Sequence, residues 1–315
     1  MQAVQFHSYG SPDVLRIEEV EQPHPKADQV LIRVLASSIN PADVGGREGS
    51  MRLIHARHLP HIPGYDVVGE VASCGPAVTA FVPGERVWAM VGLGGGAQAE
   101  YVAVRQSQVA PAPQQLSVEE AAAVPLAGLT ALQALRRKGH VQGGERVLIN
   151  GAAGGVGSFA VQIAKLLHCH VTAVCRTAQI EAVGSLGADE IVDYTHDDVL
   201  AHGKLWNVVL DTAGSMDFRT IRRMLTPNGI MVTPAGRPQD LILGAFSRLR
   251  QGPRYGFVIT RASGHDLALL ARLADRRALR PLVDQVFDIS RIQEAYRYFE
   301  QSRRMGKIVI RVAPG

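Results

Sequence analysis

Short apolar runs alternate with amphipathic stretches along the second half of the chain. The amphipathic stretches have helical periodicity, whereas the apolar runs are short enough to be buried strands. Strands that alternate with crossover helices are typical of a doubly wound parallel sheet. The apolar runs are 146–150, 170–174, 190–193, 207–211, 229–233 and 256–260, the helical stretches are 158–167, 178–186 and 217–225, and 239–251 is weakly helical.

The two ends of the chain have a different pattern. The N-terminal part consists of short alternating segments separated by Gly and Pro, which predicts a compact β-rich domain. Its strand candidates are 29–36, 67–72, 86–90 and 100–104, followed by helical periodicity over 117–138 with a break at Pro125. The C-terminal part reads as helix 266–277, strand 283–287, helix 291–301 and strand 307–312.

These patterns together predict an α/β chain of two domains. The first part of the β-rich domain comprises residues 1–121, and the parallel-sheet domain comprises residues 122–262. The chain returns to the β-rich domain over residues 263–315. The doubly wound domain is therefore inserted into the β-rich one.

A glycine turn lies between the strand at 146–150 and the helix at 158–167. Its glycines let backbone N–H groups approach a pyrophosphate, and the helix N-terminus adds partial positive charge. The spacing G-x-x-G-x-x-G differs from the usual G-x-G-x-x-G, and a flexible loop is the alternative. The order strand, turn, helix favours a dinucleotide site. The expected cofactor contacts in the turn are Gly151, Ala153, Gly154, Gly155, Val156 and Gly157.

The end of the next strand indicates which dinucleotide binds. An acidic residue that bonds the ribose 2′-OH is usual there in NAD-binding units. This strand instead ends in Cys175, Arg176 and Thr177, and the first carboxylate, Glu181, already lies in the next predicted helix. An arginine fork pairs with a 2′-phosphate, so the sequence predicts NADP(H), with Thr177 and Tyr194 as further donors. The alternative is that Arg176 is a solvated surface residue.

Composition narrows the possible partners. The chain has 315 residues, 46% of them hydrophobic and 20% charged, with a net charge of +4. Its arginine pairs are scattered over predicted helices, which argues against nucleic-acid binding. Its three cysteines form no C-x-x-C pair. No apolar run is long enough to cross a membrane, and we expect a cytoplasmic protein.

Several segments, in this order along the chain, carry a family resemblance: Ser38–Asp43, Pro63–Val71, Pro83–Val87, Ala99–Val102, Pro125–Ala131, the glycine turn, Leu186–Asp189 and Gly306–Val309. Through them the chain resembles the medium-chain dehydrogenase/reductase superfamily, in its zinc-free quinone-oxidoreductase-like branch. The resemblance implies a GroES-like catalytic domain, a Rossmann domain and an active site in the cleft between them. It also implies hydride transfer from NADPH to a quinone or an α,β-unsaturated carbonyl.

Zinc-dependent members of this superfamily place metal ligands where this chain has other residues. They have a cysteine at the position of Asn40, and Gly-His-Glu at the positions of Gly64, Tyr65 and Asp66. The nearby histidines, His55, His58 and His61, lie in a Pro-rich loop without the family's ligand spacing. We therefore expect no metal site. The alternatives are an alcohol or aldehyde dehydrogenase and an NADPH-binding interaction protein with little turnover.

The resemblance also implies roles for individual residues. The expected catalytic residues are Asn40, Tyr65 and Thr130. The alternative for Asn40 is a turn residue before proline, that for Tyr65 is core packing, and that for Thr130 is a hydroxyl that caps a helix N-terminus. Asp43 is expected to support the Asn40 loop. The remaining expected cofactor contacts are Thr212, Ala213, Pro234, Ala235, Gly236 and Lys307, the last of these as a phosphate ligand or merely a surface residue.

The last strand of the parallel sheet, near 256–260, is expected to be an exposed edge. Exposed edges are usually covered, and members of this family pair them across a two-fold axis. We therefore expect a homodimer, which a monomeric mass in light scattering would contradict.

Overall fold

The structure is a computed structural model that describes residues 1–51, 58–92, 94–234, 252–301 and 304–313. The chain divides into two compact units, one formed by Met1–Leu126 with Arg261–Gly315 and the other by Ala127–Thr260. The sequence placed the corresponding boundaries at 121/122 and 262/263.

The N-terminal part of the first unit is built from short strands, as its Gly- and Pro-punctuated pattern predicts. Pro125 separates two helices at the predicted break. The elements are β1 Gln2–Gln5, β2 Arg16–Glu19, β3 Gln29–Ile39, α1 Pro41–Glu48, β4 Asp66–Cys74, β5 Arg86–Met90, β6 Tyr101–Arg105, β7 Val109–Pro111 and α2 Val118–Ala122. The next helix, α3 Pro125–Gln133, begins in this unit and continues into the second.

The second unit contains the predicted parallel sheet. Its elements are β8 Arg146–Asn150, α4 Gly155–Leu166, β9 His170–Cys175, α5 Ile180–Gly184, β10 Glu190–Asp193, β11 Trp206–Asp211, α6 Phe218–Ile221, β12 Leu225–Thr233 and β13 Arg254–Phe257. The strand order is β10-β9-β8-β11-β12-β13, and every pairing is parallel. Counted from β8, this is the strand order 3-2-1-4-5-6 of a doubly wound dinucleotide-binding sheet, so the prediction of this fold is confirmed.

Two helices of this unit are shorter than predicted. The helix expected at 217–225 ends at Ile221, because a 3₁₀ turn at Arg222–Met224 leads directly into β12. The helix expected at 178–186 is confined to Ile180–Gly184, after a 3₁₀ turn. The weakly helical segment predicted at 239–251 lies outside the described residues.

The C-terminal part of the chain completes the first unit. It adds α7 Gly264–Asp275, β14 Val283–Asp288, α8 Ile292–Gln301 and β15 Lys307–Arg311. The unit's larger sheet has the order β14-β15-β3-β4-β5-β7, with β6 also pairing with β3. Antiparallel pairing of β15 with β3 opposes Ile308 to Ile39. This pairing brings the start of the last strand beside the end of β3, where Asn40 follows.

Each unit has its own apolar core. In the second unit Trp206, Phe218 and Tyr255 pack with strand residues of the parallel sheet. In the first unit one cluster fills the space between the strands, and another joins α8 to β15 and the N-terminal strand. Among the described helices, none combines the length and the apolar character needed to cross a membrane.

Candidate active site and cofactor-binding turn

The glycine turn after β8 is packed against its own backbone. Gly151 has φ +76°, a left-handed conformation that favours glycine. A Cβ on Gly157 would lie 2.1 Å from the Gly151 carbonyl oxygen, so only glycine lets α4 approach the turn this closely. The Ala152 N–H donates to the Val174 carbonyl at 3.0 Å, which ties the turn to β9. The geometry is that of a dinucleotide turn.

The first turn of α4 presents backbone donors that have no side-chain cap. Gly154 is the N-cap residue, and it has no side chain with which to cap the helix. The half-buried Gly155 and Val156 begin the helix, followed by Gly157. The N–H groups of a first helical turn have no intrahelical partner and bind anions readily. Ala153, predicted as a contact, is buried within the turn.

Asp211 joins the carboxyl ends of neighbouring strands. Its carboxylate accepts from Asn150 Nδ2 at 2.8 Å and from the N–H groups of Gly214 and Met216 at 3.0 and 2.8 Å. The Thr212 hydroxyl donates to the Asn150 carbonyl at 2.7 Å. These bonds fix the β11 loop beside the glycine turn, although neither Asn150 nor Asp211 was predicted as a site residue. Polar residues at the ends of buried strands were the available signal.

This arrangement accounts for the place of Thr212 and Ala213. A Cβ on Gly151 would lie 2.7 Å from Thr212 Oγ1 and 3.3 Å from the Ala213 Cβ, so the loop and the turn are in close contact. Pro234 follows β12 at the same end of the sheet and is half-buried. Ala235 and Gly236 lie outside the described residues.

The ends of β9 and β10 bring the predicted ribose-end residues together. The Tyr194 N–H donates to the Cys175 carbonyl at 3.1 Å, and the Tyr194 side chain is largely exposed. Arg176 is half-buried, and its Nε is buried without a hydrogen-bond partner among the described residues. A guanidinium with an unused donor at this edge fits the predicted 2′-phosphate ligand. Burial raises the pKa of the Cys175 thiol to about 11, so it is a neutral neighbour.

Asp193 also lies at this edge, although it was not predicted as a site residue. It accepts from the Thr177 hydroxyl at 2.5 Å and from the Thr195 hydroxyl at 2.6 Å. Those hydrogen bonds lower the pKa of the Asp193 carboxyl to about 2. The Thr177 hydroxyl hydrogen is therefore used within the protein, and Arg176 remains the better donor for a phosphate.

Thr130 lies in the second turn of α3, not at the start of a helix as the sequence suggested. It is buried, and its hydroxyl is 2.6 Å from the Thr260 hydroxyl. The alternative role of an N-terminal capping hydroxyl is therefore wrong, because that position belongs to the residues around Pro125.

In the first unit, Asp43 holds the loop that carries Asn40. Its carboxylate accepts from the Asn40 backbone N–H at 2.8 Å and from the Gly64 N–H at 2.7 Å. The start of α1 is thereby tied to the segment that precedes β4. Asp43 is fully buried, and this burial raises the pKa of its carboxyl to about 7, despite the two backbone donors.

The raised pKa of Asp43 predicts that the protein becomes less stable as the pH rises from about 4 to about 7. In that range the folded state keeps a proton that the unfolded chain has already lost, because an unfolded Asp titrates near pH 3.9. A difference of one pH unit between the folded and unfolded pKa values of Asp43 changes the unfolding free energy by about 1.4 kcal/mol. We expect urea unfolding at about pH 5 and about pH 8 to show a smaller loss of unfolding free energy in Asp43→Asn than in wild type.

The matched control for this experiment is Asp28→Asn, which changes a largely exposed carboxylate 4.0 Å from Arg105. This variant should lose stability with pH as the wild type does. An equal loss in Asp43→Asn and wild type would contradict the assignment.

A buried polar cluster surrounds the Asn40 side chain. Asn40 Oδ1 accepts from Lys307 Nζ at 2.5 Å, and Asn40 Nδ2 donates to Asp66 Oδ2 at 2.8 Å. Lys307 Nζ also lies 3.1 Å from Asp66 Oδ2, which accepts from the Ser38 hydroxyl as well. The other Asp66 oxygen accepts from the Leu126 N–H at 2.5 Å. Asn40, Asp66 and Lys307 are hereafter the Asn40 cluster.

The burial of Lys307 and Tyr65 distinguishes between the roles predicted for them. Lys307 is only 5% exposed, so the alternative of a surface lysine is wrong. A phosphate contact by Lys307 stays a prediction, and its observed partners favour a role beside Asn40. Tyr65 is 2% exposed, and burial raises the pKa of its phenol, which is therefore neutral. This burial favours the core-packing alternative over an open position.

Comparisons with known proteins give a consistent assignment. Residues 26–114 match the model of the alcohol dehydrogenase GroES-like domain, and residues 186–310 match that of zinc-binding dehydrogenases. The chloroplast envelope quinone oxidoreductase homolog of Arabidopsis thaliana is 32% identical over 98% of both chains. The chain belongs to the medium-chain dehydrogenase/reductase superfamily. Within this superfamily it falls in the quinone-oxidoreductase-like branch.

Two further members illustrate the range of relatives. The chloroplastic NADPH-dependent alkenal/one oxidoreductase of Arabidopsis thaliana is 34% identical over 100% of this chain and 80% of its own length. The structure of the quinone oxidoreductase from Coxiella burnetii superposes with a TM-score of 0.90, at 30% identity, over 99% of both chains. The predicted pairing of a GroES-like with a Rossmann-type domain is therefore confirmed.

The residues at the superfamily's zinc-ligand positions do not fit zinc. A catalytic zinc needs about three thiolate, imidazole or carboxylate ligands. Here Asn40 and Tyr65 carry neither a thiolate, an imidazole nor a carboxylate. The carboxylate of Asp66 is already neutralised by the ammonium of Lys307, 3.1 Å away. Of the two described histidines in the adjacent loop, His58 is exposed and His61 packs against the Phe6 ring, whereas His55 lies outside the described residues. Among the described residues, no group of three potential ligands could hold a metal ion.

Proposed function

We propose that this protein transfers hydride from NADPH to a quinone or an α,β-unsaturated carbonyl without the help of zinc. The observation that carries this proposal is the Asn40 cluster, which has a carboxamide at one metal-ligand position of the zinc-dependent members and pairs the carboxylate at another with the Lys307 ammonium. Arg176, with its unused Nε, supports NADPH over NADH. The names of the quinone and alkenal/one oxidoreductase relatives agree with this chemistry.

The chemistry suits an acceptor whose negative charge can delocalise. Bound NADPH supplies the hydride, and the protein has to hold the acceptor and support the enolate or hydroquinone anion that develops. Asn40 offers an amide N–H to the acceptor oxygen. The turn at Gly151–Gly157 holds the pyrophosphate, and Arg176 holds the 2′-phosphate. A simple alcohol, which needs a Lewis acid for its activation, is a poor substrate for these residues.

Two further properties remain predictions. The homodimer rests on β13, which ends the strand order of the parallel sheet in the described part of the chain. The cytoplasmic location rests on the sequence alone, and both Arabidopsis relatives described above carry chloroplast names.

The test of this function is the rate of NADPH and NADH oxidation, measured side by side with a panel of quinones, enones and saturated aldehydes. We expect turnover with quinones or enones, a higher kcat/KM with NADPH, and little reduction of saturated aldehydes. Preferential turnover of alcohols or saturated aldehydes would favour the dehydrogenase alternative. Tight NADPH binding without turnover of any acceptor would favour the interaction-protein alternative.

A further inference from the structure

We propose that Lys307 is a positioning residue that orients and polarises the Asn40 carboxamide for the substrate oxygen. This inference rests on the proposed reduction of a quinone or enone. It assigns Lys307 to the reaction through Asn40, not to a cofactor phosphate.

The partners of Asn40 fix which way its carboxamide faces. An ammonium only donates hydrogen bonds and a carboxylate only accepts them. Asn40 Oδ1 therefore faces Lys307 Nζ, 2.5 Å away, and Asn40 Nδ2 faces Asp66 Oδ2, 2.8 Å away. The flipped carboxamide would place its N–H groups against the ammonium and its oxygen against the carboxylate. Both charged residues thus select the same orientation.

This orientation leaves one N–H of Asn40 for a ligand. Nδ2 carries two hydrogens, and the bond to Asp66 uses one of them. The remaining contacts of Nδ2 among the described residues are long, at 3.3 Å to Asp43 Oδ2 and 3.5 Å to the Ser38 carbonyl. A substrate oxygen that accepts this second N–H would replace only weak hydrogen bonds.

The ammonium also strengthens this donor. Lys307 and Asp66 are 5% and 0% exposed, so water screens their charges little. A cation on the carbonyl oxygen draws electron density from the amide nitrogen, and hydrogen bonds in a chain polarise one another. The charge pair is neutral overall, so the site gains a polarised amide without a net buried charge.

The backbone holds Lys307 in this place. The Lys307 N–H donates to the Leu282 carbonyl at 2.8 Å, and β15 pairs with β3 from Ile308 onwards. Gly306 has φ +78°, and a Cβ there would lie 2.1 Å from the Leu282 carbonyl oxygen. The close approach of these two segments sets where the Lys307 side chain begins.

The main test removes the ammonium without leaving a buried charge. In Lys307→Met combined with Asp66→Asn, both charges of the pair are lost together. We expect kcat with the best acceptor to fall roughly 10- to 100-fold, the size expected when a transition-state donor is misplaced. The KM for NADPH should stay within about twofold, and the isotope effect on kcat with 4-deuterated NADPH should increase, because hydride transfer becomes slower.

Arg311→Met is the matched control on the same strand, since it removes the ion pairs of Arg311 with Glu119 and Asp288, neither of which belongs to the Asn40 cluster. It should leave kcat and the isotope effect unchanged. Asn40→Ala supplies a second test: because Lys307 acts through Asn40, adding Lys307→Met and Asp66→Asn to Asn40→Ala should lower kcat little further.

Four outcomes would overturn the inference. The variant without the charge pair could keep the wild-type kcat. Alternatively, its fold-decrease in kcat could multiply with that of Asn40→Ala, as expected for two independent sites. A selective rise in the KM for NADPH, without the same rise for NADH, would assign Lys307 to the 2′-phosphate instead. In these three cases the proposed function stands, because the wild type is active. A wild type that reduces no acceptor would overturn the proposed function and this inference together.

Discussion

Replacing Gly157 with alanine should abolish productive cofactor binding by either nucleotide. The added Cβ would lie 2.1 Å from the Gly151 carbonyl oxygen and 2.8 Å from the Ala152 Cα, and neither backbone atom can move without opening the turn. We expect the dissociation constants of NADPH and NADH to rise together, by roughly 100-fold or more, because the misplaced N–H groups contact the shared pyrophosphate. Fluorescence titration of the reduced nucleotides measures both constants.

The same substitution at Gly184 is the matched control. Gly184 lies in α5, and a Cβ there would meet only the Ile191 Cδ1, at an ordinary 3.4 Å. Gly184→Ala should leave both dissociation constants unchanged and add up to about 1 kcal/mol to the unfolding free energy, as alanine favours helix. In Gly157→Ala the overlap should cost about 1–3 kcal/mol. Unchanged NADPH binding in Gly157→Ala would show that the pyrophosphate binds elsewhere.

Replacing Arg176 with alanine should weaken NADPH binding selectively. Hydrogen bonds to a charged group contribute about 1.5–3 kcal/mol, so the loss of the guanidinium should raise the dissociation constant of NADPH roughly 10- to 100-fold. NADH has no 2′-phosphate, and its dissociation constant should change by less than about threefold. This selectivity distinguishes Arg176→Ala from Gly157→Ala, which affects both nucleotides.

Arg222→Ala tests whether the effect is one of overall charge. Arg222 is an exposed arginine in the 3₁₀ turn before β12. Its loss should leave the dissociation constants of both nucleotides unchanged. An equal weakening of NADPH and NADH in Arg176→Ala, or an equal effect of Arg222→Ala, would contradict the assignment of the 2′-phosphate site.

The sequence predicts those features of the fold that are determined by residues close together along the chain. Five strands of the parallel sheet coincide with predicted apolar runs, whereas β13 Arg254–Phe257 overlaps only the start of the run at 256–260. The turn at Gly151–Gly157 follows from its glycines between a strand and a helix. The helix at 217–225 was overestimated because its periodicity continues into Arg222–Met224, where the chain instead turns into β12. Such element ends depend on tertiary packing, which local periodicity does not contain.

The Asn40 cluster was less accessible to sequence analysis for a related reason. Asn40 and Lys307 are brought together only by the pairing of β15 with β3, across most of the chain length. In the sequence, Asp66 stood out only because zinc-dependent members have a metal-ligand segment at its position. Its contacts with Lys307 and Asn40 depend on which lysine lies opposite, and a single sequence does not encode that pairing in any local pattern.

Removal of bound metal from the purified enzyme decides whether hydride transfer from NADPH needs zinc. The purified enzyme is treated with a strong chelator, its residual metal content is measured by mass spectrometry, and NADPH oxidation is followed with the best quinone or enone. We expect an unchanged kcat with far less than one metal ion per chain. A loss of activity with the metal, restored when zinc is returned, would contradict it.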